Sequence, residues 1–346
     1  MLIKEIIDKL ALEGNCTKEE LLYLLDNITD EEKEYLWEKA DEVRRKNYDN
    51  KVYIRGLIEF TNYCKRDCVY CGIRRSNKKA CRYRLTEDEI LRCVEAGDKL
   101  GYKTFVLQGG EDPYFTDERL EKIIKKIKRK FPQNAITLSI GERTFESYKR
   151  LYDAGADRFL LRHETACREL YAELHPGATY ENRVKCIEDL KKIGYQVGAG
   201  FMVGIPGQTN EDLVKDLIFL KSLQPHMVGI GPFIPHVDTP LGQCQGGSAE
   251  KTIIMVALTR LLLPKALLPA TTALGSIDKL GREKGIKAGA NVVMPNLSPN
   301  SVREKYALYN GKLSSGDEAA ECRRDIERKI NAIGFEIEVG RGDSKV

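Results

Sequence analysis

Cys64, Cys68 and Cys71 place three thiols within eight residues, while the other seven of the chain's ten cysteines stand singly. Thiolates this close can wrap a zinc ion or an iron-sulfur cluster, and the number of ligands separates the two. A structural zinc site is closed by four ligands, and no further CxxC pair or neighbouring histidine completes one here; Cys81 is the nearest candidate. A cubane held by three cysteines keeps one iron open to a small molecule. The spacing therefore favours a 4Fe-4S cluster and leaves zinc as the alternative. Unliganded core thiols come last, since crowded loop cysteines seldom serve packing.

Other residues carry weaker signals. Gly109-Gly110-Glu111 lets the backbone pass close to a ligand and offers a carboxylate to an ammonium, with a tight turn as the plain alternative. Arg183, in Tyr180-Glu181-Asn182-Arg183, stands at a helix start where a cation opposes the dipole, which disfavours a purely structural role. Arg158 and Arg162 share one face of a strand, with Phe159 and Leu161 on the other. That alternation favours inward arginines, which are costly without an anionic partner, so an enclosed, anion-accepting cavity is expected. His163, His175, His226 and His236 are too scattered for an obvious metal site.

These residues need a scaffold. Residues 1–50 read as helical throughout, with Thr17 and Glu20 spaced as a capping box. Strands are expected at 51–60, 103–108, 135–140, 157–162, 196–203, 227–233, 267–272 and 291–294. Helices are expected between most of them, near 86–101, 116–131, 144–154, 180–193, 210–222, 249–263 and 282–288. Eight strands alternating with helices predict an α/β fold, a (β/α)8 TIM-type barrel over 51–299, with a helical extension at 1–50 and a short helical tail at 300–346 carrying one helix over 317–333. The thiol loop follows the first strand directly, at the face where such barrels place chemistry.

Composition agrees with a single large soluble enzyme: 346 residues, 42% hydrophobic, 31% charged, net charge +4 with both signs interleaved. The most basic stretch, Lys122 to Lys130, sets Ile123, Ile124 and Ile127 on one helical face and reads as a solvated helix. No nucleic-acid or membrane partner is expected. The N-terminus, Met1-Leu2-Ile3-Lys4-Glu5, lacks the features of an export signal, and a cytoplasmic setting with reduced thiols follows.

At the thiol loop the sequence resembles the radical S-adenosylmethionine (SAM) superfamily, whose signature is CxxxCxxC. The resemblance continues through Gln108-Gly-Gly-Glu111, Ser139-Ile-Gly-Glu142, Arg162-His-Glu164, Gly204-Ile-Pro-Gly-Gln208 and Gly231-Pro-Phe-Ile-Pro-His236, each following a predicted strand. With Thr271-Thr272 and Met294-Pro-Asn296, these segments resemble the HydE-type FeFe-hydrogenase maturases, relatives of biotin synthase and methylornithine synthase, from about residue 15 to residue 312.

The resemblance implies one 4Fe-4S cluster with an open iron on Cys64, Cys68 and Cys71, and SAM bound by Tyr70, Gln108, Gly109, Gly110, Glu111, Ser139, Glu164, Arg183, Met202 and Ile205, with Gly204, Pro206 and Gly207 on its adenine side. Thr271, Thr272, Met294, Tyr306 and Tyr309 would line the substrate cavity with Arg158 and Arg162. The implied activity is reductive cleavage of SAM and action on a small iron-bound cysteine complex. A radical SAM enzyme with an amino-acid-like organic substrate is the alternative, and an electron-transfer or scaffold protein the non-enzyme one. Implied partners are other hydrogenase maturation proteins and an electron donor such as a ferredoxin or flavodoxin. Some members of the family hold a second cluster on three further cysteines near the C-terminus; only Cys322 stands there, so none is expected. Arg341-Gly-Asp343 reads as a charged frayed end.

Overall fold

The computed structural model describes residues 2–313 and 319–346. The chain opens with α1 (Ile3–Glu13), α2 (Lys18–Asn27) and α3 (Asp30–Tyr48), the last two started by Thr17 and Thr29 in capping boxes closed by Glu20 and Glu32. There follow β1 (Lys51–Ile54), β2 (Gly56–Thr61), α4 (Glu87–Lys99), β3 (Thr104–Gly109), α5 (Asp117–Lys130), β4 (Ala135–Ser139), α6 (Phe145–Asp153), β5 (Arg158–Leu160), α7 (Arg168–Leu174), α8 (Tyr180–Ile193), β6 (Gln196–Ala199), β7 (Met202–Val203), α9 (Asn210–Leu223), β8 (Met227–Val228), β9 (Gly231–Pro232) and α10 (Ala249–Leu262). The chain finishes with α11 (Thr272–Ile277), α12 (Gly281–Lys287), β10 (Val292–Val293), α13 (Asn300–Arg303), α14 (Ala319–Ala332) and β11 (Glu336–Glu338). Of the tail helix expected over 317–333, residues 317 and 318 lie outside the described residues.

Strand order β2-β3-β4-β5-β6-β8 is parallel throughout, and the chain between consecutive strands returns through helices. Threonine does much of the local work. Thr86, Thr116, Thr144, Thr179, Thr209 and Thr271 each accept the third amide of the helix that follows. The ring is completed by backbone bonds from residues 267–270. Leu267 bridges Met227, Pro269 bridges Val292, and β10 pairs with β1. Residues 267–272, expected as a strand, make only single bridges, because Pro269 has no N–H to give to a ladder, and α11 already begins at Thr272. Gly200 and Gly229 divide the expected fifth and sixth strands: a Cβ on Gly200 would sit 2.0 Å from the Gly229 oxygen, so only glycine lets these backbones cross.

The first strand also divides. β1 and β2 flank Arg55, and β1 pairs on one edge with β10 and on the other with β11, from the C-terminal tail. The expected frayed end is therefore corrected. Arg341 and Asp343 are drawn to the start of β5, where the Arg158 Nη2 donates to the Arg341 oxygen (2.8 Å) and to Asp343 Oδ1 (2.7 Å), and Thr104 Oγ1 donates to the same Arg341 oxygen (2.7 Å). The N-terminal helices pack outside the ring, α2 on α9, and α1 and α3 on α10.

Candidate active site

β2 delivers the chain into the thiol loop, which has little regular structure and is tied from several sides. Lys65 N–H donates to the Glu111 oxygen (2.9 Å), Val69 N–H to Leu174 (3.0 Å) and Gly72 N–H to Leu308 (2.8 Å). The Arg82 guanidinium donates to the carbonyls of Asn62, Ile73, Arg74 and Asn77, drawing both arms of the loop together. Gly110 is required beside it, since a Cβ there would meet the Tyr63 oxygen at 2.2 Å and Cys64 Cβ at 2.7 Å.

The three thiols lie partly buried and close enough to influence one another. Burial raises each above the ordinary thiol range, Cys68 to about 12 with Cys64 adding to the rise, and Cys71 with help from both neighbours. Such thiols give up their protons when a metal centre compensates the charge. The Arg66 and Glu111 amides already point at Cys64 Sγ, each at 3.4 Å. Among the described residues no three His, Cys, Asp or Glu side chains are gathered tightly enough for a single metal ion. The donor set, three thiols with amides directed at sulfur, fits a cluster that spans the loop.

Around the loop stand the ends of the strands. Glu59, Gln108 and Ser139 are neighbours in register on β2, β3 and β4. Glu111, expected to meet an ammonium, has both carboxylate oxygens engaged: Oε2 accepts from Arg66 Nε (2.7 Å) and Oε1 from the Glu142 amide (3.1 Å). Arg66 continues to Glu142 (2.7 Å), which also accepts from Arg183 Nε (2.7 Å) and Asn182 (2.8 Å). The carboxylates of Glu111 and Glu142 thus anchor the thiol loop to strand ends, and Arg66, Glu142 and Arg82 are organising residues that spacing did not reveal.

Tyr70 donates to His175 Nε2 (3.1 Å), since His175 Nδ1 donates to the Tyr171 oxygen (3.0 Å) and fixes the tautomer. Tyr70 packs with Val69 against an apolar cluster that includes Met202, Ile205 and Phe233. This surface suits a flat heteroaromatic ring. Across from it, Glu164 Oε2 is buried without a hydrogen-bond partner, as are Nε and Nη2 of Arg162, whose Nη2 lies 3.3 Å from Glu164 Oε2. Buried polar atoms without partners mark where a polar ligand would sit.

Arg158 does point inward, as expected, but its anionic partner is Asp343 at the base of the ring, so it is separated from Arg162 and the strand-end residues. Thr272 and Met294 line a cavity of about 300 Å³ shared with Glu59, Arg282, Asn296 and Cys322. Its lining omits Thr271, which caps α11, and Tyr306 and Tyr309. Sequence reading missed Glu59, whose fully buried carboxylate accepts from Lys312 (2.5 Å) and Asn296 (2.7 Å), and Arg55, buried with Nε and Nη2 unpartnered. The signal for both was present: a lone Arg and a lone Glu at even spacing in KVYIRGLIEF.

A Radical SAM superfamily model matches residues 58–220. The chain is 46% identical over 331 residues to the [FeFe] hydrogenase maturase subunit HydE of Thermotoga maritima, covering 96% of this chain and 94% of that one. It is 31% identical to the 3-methylornithine synthase of Methanosarcina acetivorans, covering 94% and 91%. Among solved structures, a methylornithine synthase superposes with a TM-score of 0.87 at 29% identity, covering 96% of this chain and 97% of that chain. The maturase HydG, at 22% identity, shares the fold with a TM-score of 0.82 and 97% and 76% coverage.

Proposed function

Because the chain belongs to the radical SAM superfamily, in the branch of the HydE-type [FeFe]-hydrogenase maturases, we propose that its residues serve one reaction on a small iron-bearing substrate. It is a radical SAM enzyme of hydrogenase maturation, and it uses a 4Fe-4S cluster and SAM. The 46% identity along 96% of the chain carries this reading, set against 31% to a methylornithine synthase. The cluster that Cys64, Cys68 and Cys71 would hold would supply the electron for reductive cleavage of SAM at its C5′–S bond, with methionine as the leaving group.

The protein's part is binding and orientation. Cys64, Cys68 and Cys71 would hold the cluster, with the Arg66 and Glu111 amides stabilising sulfur. Gln108, Gly109, Gly110 and Ser139 border SAM at the strand ends, and Tyr70, Met202 and Ile205 cover its adenine. Glu164 Oε2 accepts from ribose hydroxyls, and Arg183, already braced by Glu142, is turned towards the SAM carboxylate. Arg162 offers Nε, and Nη2 shared with Glu164, to an anionic substrate such as an iron-bound cysteine, with Thr271, Thr272, Met294, Tyr306 and Tyr309 as the remaining wall. Other maturation proteins and a ferredoxin- or flavodoxin-type electron donor are the proposed partners. A cytoplasmic setting suits reduced thiols, and no helix among the described residues is long and apolar enough to cross a membrane.

The test is anaerobic reconstitution with iron and sulfide, followed by dithionite, SAM and either an iron-cysteine complex or lysine, with hydrogenase maturation as the readout. Maturation that depends on this chain and on SAM is expected. Turnover of lysine without maturation would overturn the assignment in favour of the organic-substrate enzyme.

A further inference from the structure

Glu164 has φ +66°, and among the described residues only Asp49 and Gln224 are other non-glycine positions with positive φ. The Thr165 N–H donates back to the His163 oxygen at 2.9 Å, so Glu164 is the centre of a three-residue turn of the rare, strained hand. Such a conformation persists where the surroundings over-determine it. Several of the restraints are ordinary: Glu164 N–H donates to the Gly200 oxygen (3.0 Å), Met202 N–H to the Glu164 oxygen (3.0 Å), and Arg183 Nη1 to the Arg162 oxygen (2.5 Å).

The remaining restraint comes from α9. Asp216, fully buried, accepts through the single atom Oδ1 from the Ala166 N–H (2.6 Å) and from His163 Nε2 (3.1 Å). The tautomer is set by the Gly200 N–H, which donates to His163 Nδ1 (3.3 Å) and leaves the proton on Nε2. His163 is itself fully buried and packs at 4.6 Å, its ring tilted by 51°, against Phe219, also from α9. His163 and Ala166, on either side of Glu164, are therefore gripped by one oxygen, 50 residues away in sequence from Ala166, and the hydrogen bonds of Asp216 among the described residues go to neither the thiol loop nor the expected SAM contacts.

We infer that Asp216 is a positioning residue: by clamping His163 and Ala166 it holds Glu164 in its strained turn, with Oε2, ion-paired with Arg162 at 3.3 Å but accepting no hydrogen bond, turned towards the ribose of SAM. The inference rests on the reading of Glu164 as a SAM contact. Burial pushes the Asp216 carboxyl well above the usual carboxylate range, and both of its hydrogen bonds are accepted by Oδ1, an oxygen that a side-chain amide also presents.

The experiment uses cluster-loaded protein and reads SAM affinity by equilibrium dialysis, amide exchange at residues 163–166, iron content and melting temperature. Asp216→Leu should weaken SAM by at least about tenfold and speed exchange at Thr165 and Ala166, with iron content kept and melting shifted far less than affinity. Asp216→Asn, which presents an oxygen to the same donors, should stay within about threefold of wild type. Unchanged SAM affinity in Asp216→Leu, parallel loss of affinity, iron and melting temperature, or an Asn variant as weak as Leu would each overturn the clamp. If Asp216→Leu does not fold, His163→Phe, which keeps the ring volume and removes the donor, takes its place with the same expected and overturning results. Glu164→Gln separates the two readings. If it leaves SAM affinity unchanged, Glu164 is not a SAM contact; if it weakens SAM and Asp216→Leu does not, the clamp alone is wrong.

Discussion

Arg158, at the start of β5, and Asp343, near the C-terminus, hold each other at 2.7 Å, the arginine fully buried and the aspartate side chain 44% exposed. Removing Asp343 leaves a guanidinium in the ring with only neutral partners. Breaking a fully buried pair costs about 3–5 kcal/mol, and the exposure of Asp343 reduces that. We expect Asp343→Ala to lower unfolding stability by about 1–3 kcal/mol in urea titrations. A loss below about 0.5 kcal/mol would show that the tail is not part of the folded base.

The same pair sets a pH dependence. Burial alone would push the Asp343 carboxyl up, but Arg341 and Arg158 hold it well below the usual carboxylate range. A carboxyl with a depressed folded-state value contributes stability that is present above its unfolded value, about 3.9, and lost as pH falls through the folded one. Wild type should therefore lose more stability than Asp343→Asn between about pH 5 and pH 2. Parallel acid limbs for the two proteins would refute this linkage.

Iron content separates the cysteines. Cys68→Ser should bind no stable cluster and cleave no SAM, whereas Cys322→Ser, whose residue borders the 300 Å³ cavity alone among thiols, should retain about four irons per chain and near-normal cleavage. About eight irons per wild-type chain, or loss of a cluster from Cys322→Ser, would establish a second centre.

Arg66 links two nearly buried carboxylates, Glu111 and Glu142, at 2.7 Å each. Arg66→Leu strands part of that charge, although Arg183 and Asn182 still serve Glu142. We expect a stability loss of about 2–4 kcal/mol together with poor cluster reconstitution, measured by melting and by iron analysis. Normal reconstitution would mean that the loop is held adequately by Arg82 and its backbone bonds.

Arg162, whose Nε has no hydrogen-bond partner, should carry the substrate role, since Arg158 is held by Asp343. Arg162→Leu is expected to reduce substrate-dependent turnover at least about tenfold while SAM binding stays within a few fold. Equal losses in both would place the arginine on SAM, through its neighbour Glu164.

How far the sequence alone reached follows from what kind of signal each element has. The helices of the βα units were legible because a threonine cap and an apolar face are local: α5, with Thr116 ahead and Leu120, Ile123, Ile124 and Ile127 buried, begins and ends within a residue of its expected bounds. The thiol loop was legible because ligand spacing is local as well. Short α7 and α11 were missed, and β11 was missed because three residues of strand carry no periodicity until β1 offers an edge. The direction of Arg158 was readable from alternation, but its partner 185 residues away was not. The same limit hid the Asp216 contact to Ala166 and the Lys312 contact to Glu59, each a pairing made only by the closed ring.

The parallel pairing of β1 with β11 also bears on how the chain is born. β1 leaves the ribosome early, yet one of its two edges stays open until residues 336–338 emerge, and Arg158 waits longer still for Asp343. Synthesis runs from the N-terminus, so the base of the ring can close only after residues 336–343 have emerged. A nascent chain arrested before residue 336 has emerged should display its helices while remaining open at one end and within reach of chaperones.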